Sequence, residues 1–171
     1  MLDGGEDPRY LARRLIRIAY EDVGLADPDA ALHALAAAET FERLGSPEGE
    51  LALVQATIYL ALAPKSNAAY LAHKAAMRAA REHGSLMPPP HILNAPTRLM
   101  KKLGYGEGYI YDHDAPDRFS GQNYFPEGMA RERYYAPTGE GAEKRLKARL
   151  EELERLRRER GTAGRRKTDD G

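Results

Sequence analysis

LALVQATIYLALAPKSNAAY, residues 51–70, is the stretch from which the fold is read. From Leu51 to Ala63 only Gln55 and Thr57 interrupt an otherwise apolar run. A helix that is apolar all round must be buried on several sides, so other helices have to pack around it. The run is too short to cross a bilayer, which takes about 20 residues. Pro64 follows directly and cannot continue the helix. Lys65, Ser66 and Asn67 then form a polar corner before a second helical run opens. The stretch therefore predicts a core helix, a sharp corner and a partner helix.

Outward from this centre the punctuation repeats. Asp7 caps a first helix, with Pro8 where a first-turn proline is welcome. Leu11, Leu15 and Ile18 recur there at helical spacing, and Gly24 is a stop. Asp27-Pro28 opens a second helix that carries Leu32, Leu35 and Phe41 and ends near Gly45. Ser46-Pro47 opens the third, central helix. Cap-plus-proline starts and glycine stops in such short order predict an all-α fold. The fourth helix runs from Ser66 to Gly84 and is rich in alanine, so it is expected to lie tightly against the third.

The texture then changes. Pro88 to Pro90 favour an extended polyproline conformation. A short helix is expected over about Pro96 to Leu103, closed by Gly104. Residues 105–138 break any period with glycine, proline and aspartate, yet carry Tyr105, Tyr109, Tyr111, Phe119, Tyr124 and Phe125. Disordered linkers are poor in aromatics, so this is an ordered, irregular segment lying on the helices through its rings. A last helix spans about 139–160, with Leu146, Leu150, Leu153 and Leu156 in one narrow stripe. Glu143–Lys147, Glu151–Arg155 and Glu154–Arg158 are four apart in the favourable order. Residues 161–171 are expected to be a disordered tail.

The chain has 171 residues, 26 basic and 26 acidic side chains, and no cysteine. Zero net charge removes a whole-chain electrostatic argument for nucleic acid, although residues 130–167 hold 13 Lys/Arg against 7 Glu. The absence of cysteine excludes disulfide and thiol chemistry. The start, MLDGGEDPRY, is no signal peptide, and no stretch is long enough for a membrane span. Cytoplasm is the default location.

No catalytic, cofactor-binding or metal-ligating set emerges from the spacing. His113 between Asp112 and Asp114 is the most suggestive cluster, but three adjacent loop residues seldom converge on one ion. A stand-alone enzyme built on it has no support in the pattern. There is no glycine-rich phosphate loop with its lysine and Ser/Thr. The corner Lys65, Ser66 and Asn67 offers a helix amino end and a full positive charge, which together suit an anion. The commoner explanation is that Ser66 caps the helix while Lys65 is solvated or bonds a carbonyl. Arg98, Lys101 and Lys102 form a second basic group, read as a solvated face or, more sharply, as a contact for DNA phosphate.

Four stretches now stand together: GEDPRYLARRLIRIAYEDVGLADP, LALVQATIYLALAPKSNAAY, HILNAPTRLMKKLGYGEGYIYDHD and RYYAPTGEGAEKRLKARL. In this order they closely resemble the C-terminal part of the replication-associated recombination protein A family, also called MgsA. Its eukaryotic relative is the Werner helicase-interacting protein. The resemblance runs from about Leu2 to about Arg157. The family is a clamp-loader-like AAA+ ATPase acting at stalled replication forks in DNA replication, recombination and repair.

The resemblance implies a helical bundle like the clamp-loader collar over residues 1–160, an oligomerisation domain that drives homotetramer formation. It implies that ATP and Mg belong to an N-terminal core outside this chain, and that Met1 begins partway along a longer protein. Walker A and Walker B motifs are missing here, so this chain is expected not to be an enzyme by itself. Family partners are single-stranded DNA-binding protein and replication factors, with a nucleoid-associated cytoplasmic location. The alternative is a DNA-binding module that contacts phosphates through its basic helix ends.

Overall fold

The structure, a computed structural model, describes residues 1–166. Among them it contains six α-helices and no strand: α1 Pro8–Ile18, α2 Asp29–Leu44, α3 Glu50–Leu62, α4 Ala68–His83, α5 Arg98–Lys102 and α6 Glu143–Arg166. The expected all-α class is what is found. The chain divides into two compact units. One holds Met1–Ala76 and Tyr134–Ala148; the other holds Met77–Arg133 and the described residues from Arg149.

In the first unit the helix starts follow the local chemistry. Asp7 accepts from the Arg9 N–H at 2.9 Å, and Pro8 opens α1. The helix then widens into a π-turn, Ala19–Val23, before Gly24 stops it at φ +55°. A Cβ on Gly24 would stand 2.5 Å from the Ser66 carbonyl oxygen, so the corner after α3 presses directly on this stop. Asp27 accepts from the Asp29 N–H at 3.2 Å and opens α2.

The third helix starts later than expected. Ser46-Pro47 lies in a turn that the Gly49 N–H closes onto the Gly45 carbonyl, 2.6 Å, and α3 begins at Glu50. Gly49 is needed there because a Cβ would meet the Cα of Phe41 at 2.8 Å.

The core is built from small side chains. Two clusters, Ala12–Ala37–Phe41–Leu53–Ala56 and Ala19–Val23–Ala30–Ala34–Leu60, join α1, α2, α3 and the π-turn. In α2 the buried face is Ala30, Ala34, Ala37 and Phe41, at the spacing of one helical stripe. Leu32 and Leu35, which the sequence offers as apolar anchors, are exposed instead. Alanine at the crossing lets the backbones approach closely, and the leucines cannot occupy the same face. The third helix packs chiefly on α2 and then α1, rather than on alanine-rich α4.

The chain returns to this unit at Tyr134–Ala148 around one buried acid. Glu143, the first residue of α6, has no exposed surface. Its Oε1 accepts from the Tyr135 hydroxyl at 2.8 Å. Its Oε2 accepts from the Ser66 hydroxyl at 2.8 Å, the Thr138 N–H at 2.8 Å and the Thr138 hydroxyl at 2.7 Å. The sequence reading of Glu143 as a surface partner of Lys147 is thereby corrected: four donors hold it inward. Burial pushes the Glu143 carboxyl up, but the hydrogen bonds from Thr138, Tyr135 and Ser66 outweigh it and hold it below the ordinary carboxylate value. Burial first, and then the bond to Glu143, raises the Tyr135 phenol. Gly141 makes the approach feasible. Its φ is +49°, and a Cβ would stand 2.2 Å from the Ala26 carbonyl oxygen. That same carbonyl accepts from the Ala142 N–H at 2.7 Å.

In the second unit, Pro89 keeps polyproline-like angles (φ −60°, ψ 142°), but Pro90–Ile92 closes into a 3-10 turn. The short helix is tighter than expected, Arg98–Lys102, with the Thr97 hydroxyl accepting from the Met100 N–H at 3.2 Å. In the irregular segment Tyr109, Tyr111 and Tyr124 are exposed. The Phe119 ring lies beneath the guanidiniums of Arg157 and Arg160, 4.9 and 5.6 Å from its centroid. The charge pairs on α6 differ from the simple four-apart pattern. Glu154 accepts from Arg131 at 3.1 Å and Arg157 at 3.0 Å rather than from Arg158, and Arg155 donates to Glu159 at 2.7 Å. The helix is described to Arg166, past the expected end at Arg160, and residues 167–171 of the expected tail lie outside the described residues.

Two substitutions test this account. Gly141→Ala should lower the unfolding free energy by about 2 kcal/mol or more, since it adds both positive-φ strain and a backbone clash; urea titration measures it. Glu143→Gln should cost about 1.5–3 kcal/mol at pH 7, the range for a hydrogen bond to a charged group. Because the folded carboxyl titrates below its unfolded value, wild type carries this advantage in full above about pH 4.3. The gap between wild type and Glu143→Gln should close as pH falls through the lowered folded value. A gap independent of pH from 7 to 3 would show that the charge contributes nothing.

Candidate functional site

The polar corner is built by the end of α3. Pro64 stops the helix and leaves its last carbonyls without partners. The Lys65 ammonium donates to the Leu60 carbonyl at 2.7 Å and also bonds those of Ala61 and Ala63. It is a cationic cap on the negative end of α3. Ser66 is buried; its N–H donates to the Asp22 carbonyl at 2.8 Å, and its Oγ accepts from the Ala68 N–H at 3.2 Å while its hydroxyl bonds Glu143. Asn67 is exposed. Lys65, Ser66 and Asn67 line an open hollow of about 530 Å³ whose wall also includes Asp22. The corner is thus occupied by bonds within the chain. An anion there would have to draw Lys65 off the α3 carbonyls and tolerate the Asp22 carboxylate.

The second basic group behaves differently. Arg98, Lys101 and Lys102 are all exposed on α5, and no ion pair among the described residues engages them. Lys65 belongs to the first unit and α5 to the second. His113 stands in a 3-10 turn, its ring 4.9 Å from that of Tyr111. Its neighbour Asp112 turns in to accept the Ser120 N–H at 2.8 Å. The hydrogen bonds from Ser120 hold the Asp112 carboxyl below its ordinary value. These are the contacts of a structured loop. No group of three or more ligating side chains converges among the described residues.

The most unusual surface is one that no polar residue marks. The inner face of α3, Leu53, Ala56 and Leu60, is buried. Its opposite face, Leu51, Val54, Ile58 and Leu62, is 62, 44, 55 and 82% exposed. These four recur at 3, 4 and 4 residues, which is one stripe along the helix. Val54 also belongs to the wall of an apolar groove of about 590 Å³ between α1 and α3, lined further by Tyr10, Leu11, Leu15 and Leu53. The central helix is therefore buried on one side only, where the sequence predicted burial on several. The sequence carried the signal: a run apolar on every side has no polar face to turn toward water. Glu143 left a weaker signal, since only Gly141 just before it hints at a close approach.

No helix among the described residues is long and apolar enough to cross a membrane. The family model described as MgsA AAA+ ATPase C terminal matches residues 1–154. Replication-associated recombination protein A of Coxiella burnetii is 54% identical over 157 residues, covering 91% of this chain and 36% of that protein. The protein of the same name from Escherichia coli K12 is 50% identical over 151 residues, 88% of this chain and 34% of its own. That of Bacillus subtilis is 39% identical over 135 residues, 79% and 32%. The chain thus spans about a third of the length of these relatives. A family match over nearly the whole chain, on a fold of the expected class, places this chain in the replication-associated recombination protein A (MgsA) family, as the C-terminal domain of an AAA+ ATPase.

Proposed function

We propose that this domain holds together copies of an AAA+ ATPase acting in replication-fork maintenance, recombination and repair, as a homotetramer. The observation that supports it is the outer stripe of α3. Four large apolar side chains in one row, continuous with an apolar groove, form a patch of the kind that soluble monomers rarely leave in water. Closed symmetric assembly covers such a surface on every copy. ATP is bound with Mg and hydrolysed by the remainder of the protein, and this domain contributes assembly rather than chemistry. Single-stranded DNA-binding protein and other fork factors are the partners of the assembled protein, at the nucleoid.

A second reading has its own observation. Arg98, Lys101 and Lys102 present three cations to solvent on a five-residue helix. They suit contact with DNA phosphates, and assembly would multiply the patch. Binding of this kind weakens steeply as salt rises.

Light scattering on a sizing column tests the main reading. The chain should run as a tetramer whose mass is unchanged between low and high salt, because apolar contacts are not screened. Ile58→Glu combined with Leu62→Glu should give a monomer. As both residues are exposed, the change should leave the monomer's own unfolding free energy within about 0.5 kcal/mol. A monomeric wild type at both salt concentrations would overturn the proposal.

A further inference from the structure

We infer that the second unit carries a pocket for an unstacked base of single-stranded DNA, formed by His91, Asn94, Tyr109 and Tyr124. The inference deepens the DNA-contact reading, on which it rests, and is independent of the assembly reading.

The pocket has a volume of about 500 Å³, within the range of sites that take small planar ligands. One wall is His91 to Ala95, which begins within the 3-10 turn. The other holds Gly106 and Tyr109, and Tyr124 completes the lining. Hydrogen bonds hold these pieces in place. The Gly106 N–H donates to the Pro90 carbonyl at 2.8 Å. The Gln122 side-chain amide grips both neighbours of Tyr109: its Nε2 donates to the Gly108 carbonyl at 2.7 Å, and its Oε1 accepts from the Ile110 N–H at 3.0 Å. Tyr109 and Tyr124 therefore sit on two segments clamped by one side chain between them.

The chemistry inside is that of a flat heteroaromatic. The rings of His91 and Tyr124 lie 5.9 Å apart, tilted by 34°, and Tyr109 is 52% exposed. Such rings offer π-faces on which any base can stack. Asn94 adds a polar side chain to the lining. His91 Nε2 is buried, with no hydrogen-bond partner among the described residues, so His91 contributes its ring and not that nitrogen.

The neighbourhood supplies the charge. The two walls are the two ends of the segment that carries α5, so Arg98, Lys101 and Lys102 occupy the turn joining them. Aromatic faces with cations alongside are what a single strand requires, stacking for its bases and neutralisation for its phosphates.

Fluorescence anisotropy with a labelled oligo-dT and with an abasic strand of equal length tests the inference on the full 171-residue chain. Oligo-dT should bind more tightly than the abasic strand. Tyr109→Ala should weaken oligo-dT binding by about tenfold or more, leave abasic-strand binding unchanged, and be rescued by Tyr109→Phe. Lys101→Glu should weaken both strands. Thymidine monophosphate at equal base concentration should not displace the strand. If both strands bind alike and Tyr109→Ala changes neither, base stacking is overturned while phosphate contact stands. If neither strand binds, both fail. Displacement by the mononucleotide at equal base concentration would overturn the strand assignment in favour of a free nucleotide. Circular dichroism of Tyr109→Ala should match wild type, because the Gln122 clamp uses only the backbone on either side of position 109.

Discussion

A carboxylate removed from water must have its lone pairs occupied, or it costs several kcal/mol. Glu143 meets that demand with four donors, and meeting it fixes the shape of the first unit. Tyr135 and Thr138 must be carried to it by an extended return, Ser66 must face it from the corner after α3, and the chain must pass Ala26 so closely that only glycine fits at 141. The corner is constrained in turn. Ser66 cannot reach Glu143 unless α3 ends where Pro64 ends it, and its backbone presses on Gly24, which forces the stop after α1. One buried acid thus ties together segments far apart in sequence. Lys65 closes the arrangement by capping the carbonyls that Pro64 leaves open.

The helices meet through alanine. Nine of the thirteen buried apolar residues among those described are alanine, and only Val23, Phe41, Leu53 and Leu60 are larger. Small residues bring backbones together and gain close dispersion contacts, but each removes little apolar surface from water. The large side chains that would ordinarily fill a core instead stand outside: Leu32 and Leu35 on α2, and Leu51, Val54, Ile58 and Leu62 on α3. Both facts follow from one choice of helix rotation. Turning α2 to bury its leucines would separate it from α1 and α3 and break the alanine contacts.

That choice explains what the sequence disclosed and what it hid. Local signals were legible because their physics is local: Asp7 and Pro8 at α1, and Pro64 at the end of α3. The extent of α3 could be read from its apolar run, but not which side would be covered, since periodicity cannot choose a buried face when every face is apolar. The alanine face of α2 was illegible for a related reason, as leucine carries the stronger apolar signal. Glu143 looked like one more acid on a charged helix. Its role depends on Ser66, 77 residues away, and no local rule spans that distance. Pro64 marked the turn after α3, but the partners of Lys65 and Ser66 could be known only from the fold. The packing of Phe119 beneath two guanidiniums and the Gln122 clamp had no sequence signature.

The two units differ in surface chemistry, and that contrast bears on how such a domain is used. The first shows water a row of aliphatic side chains with no hydrogen-bonding capacity along it. Such a row gains from burial against another apolar surface, in proportion to area and with little dependence on salt. The second shows exposed rings and cations on a short helix, groups whose partners are planar or anionic. A single partner could not satisfy both chemistries, since an apolar face would leave the cations unpaired, and a nucleic acid would leave the leucines wet. Separate occupants for the two surfaces resolve the conflict. Assembly through α3 and contact with a strand through the second unit are therefore compatible on one chain.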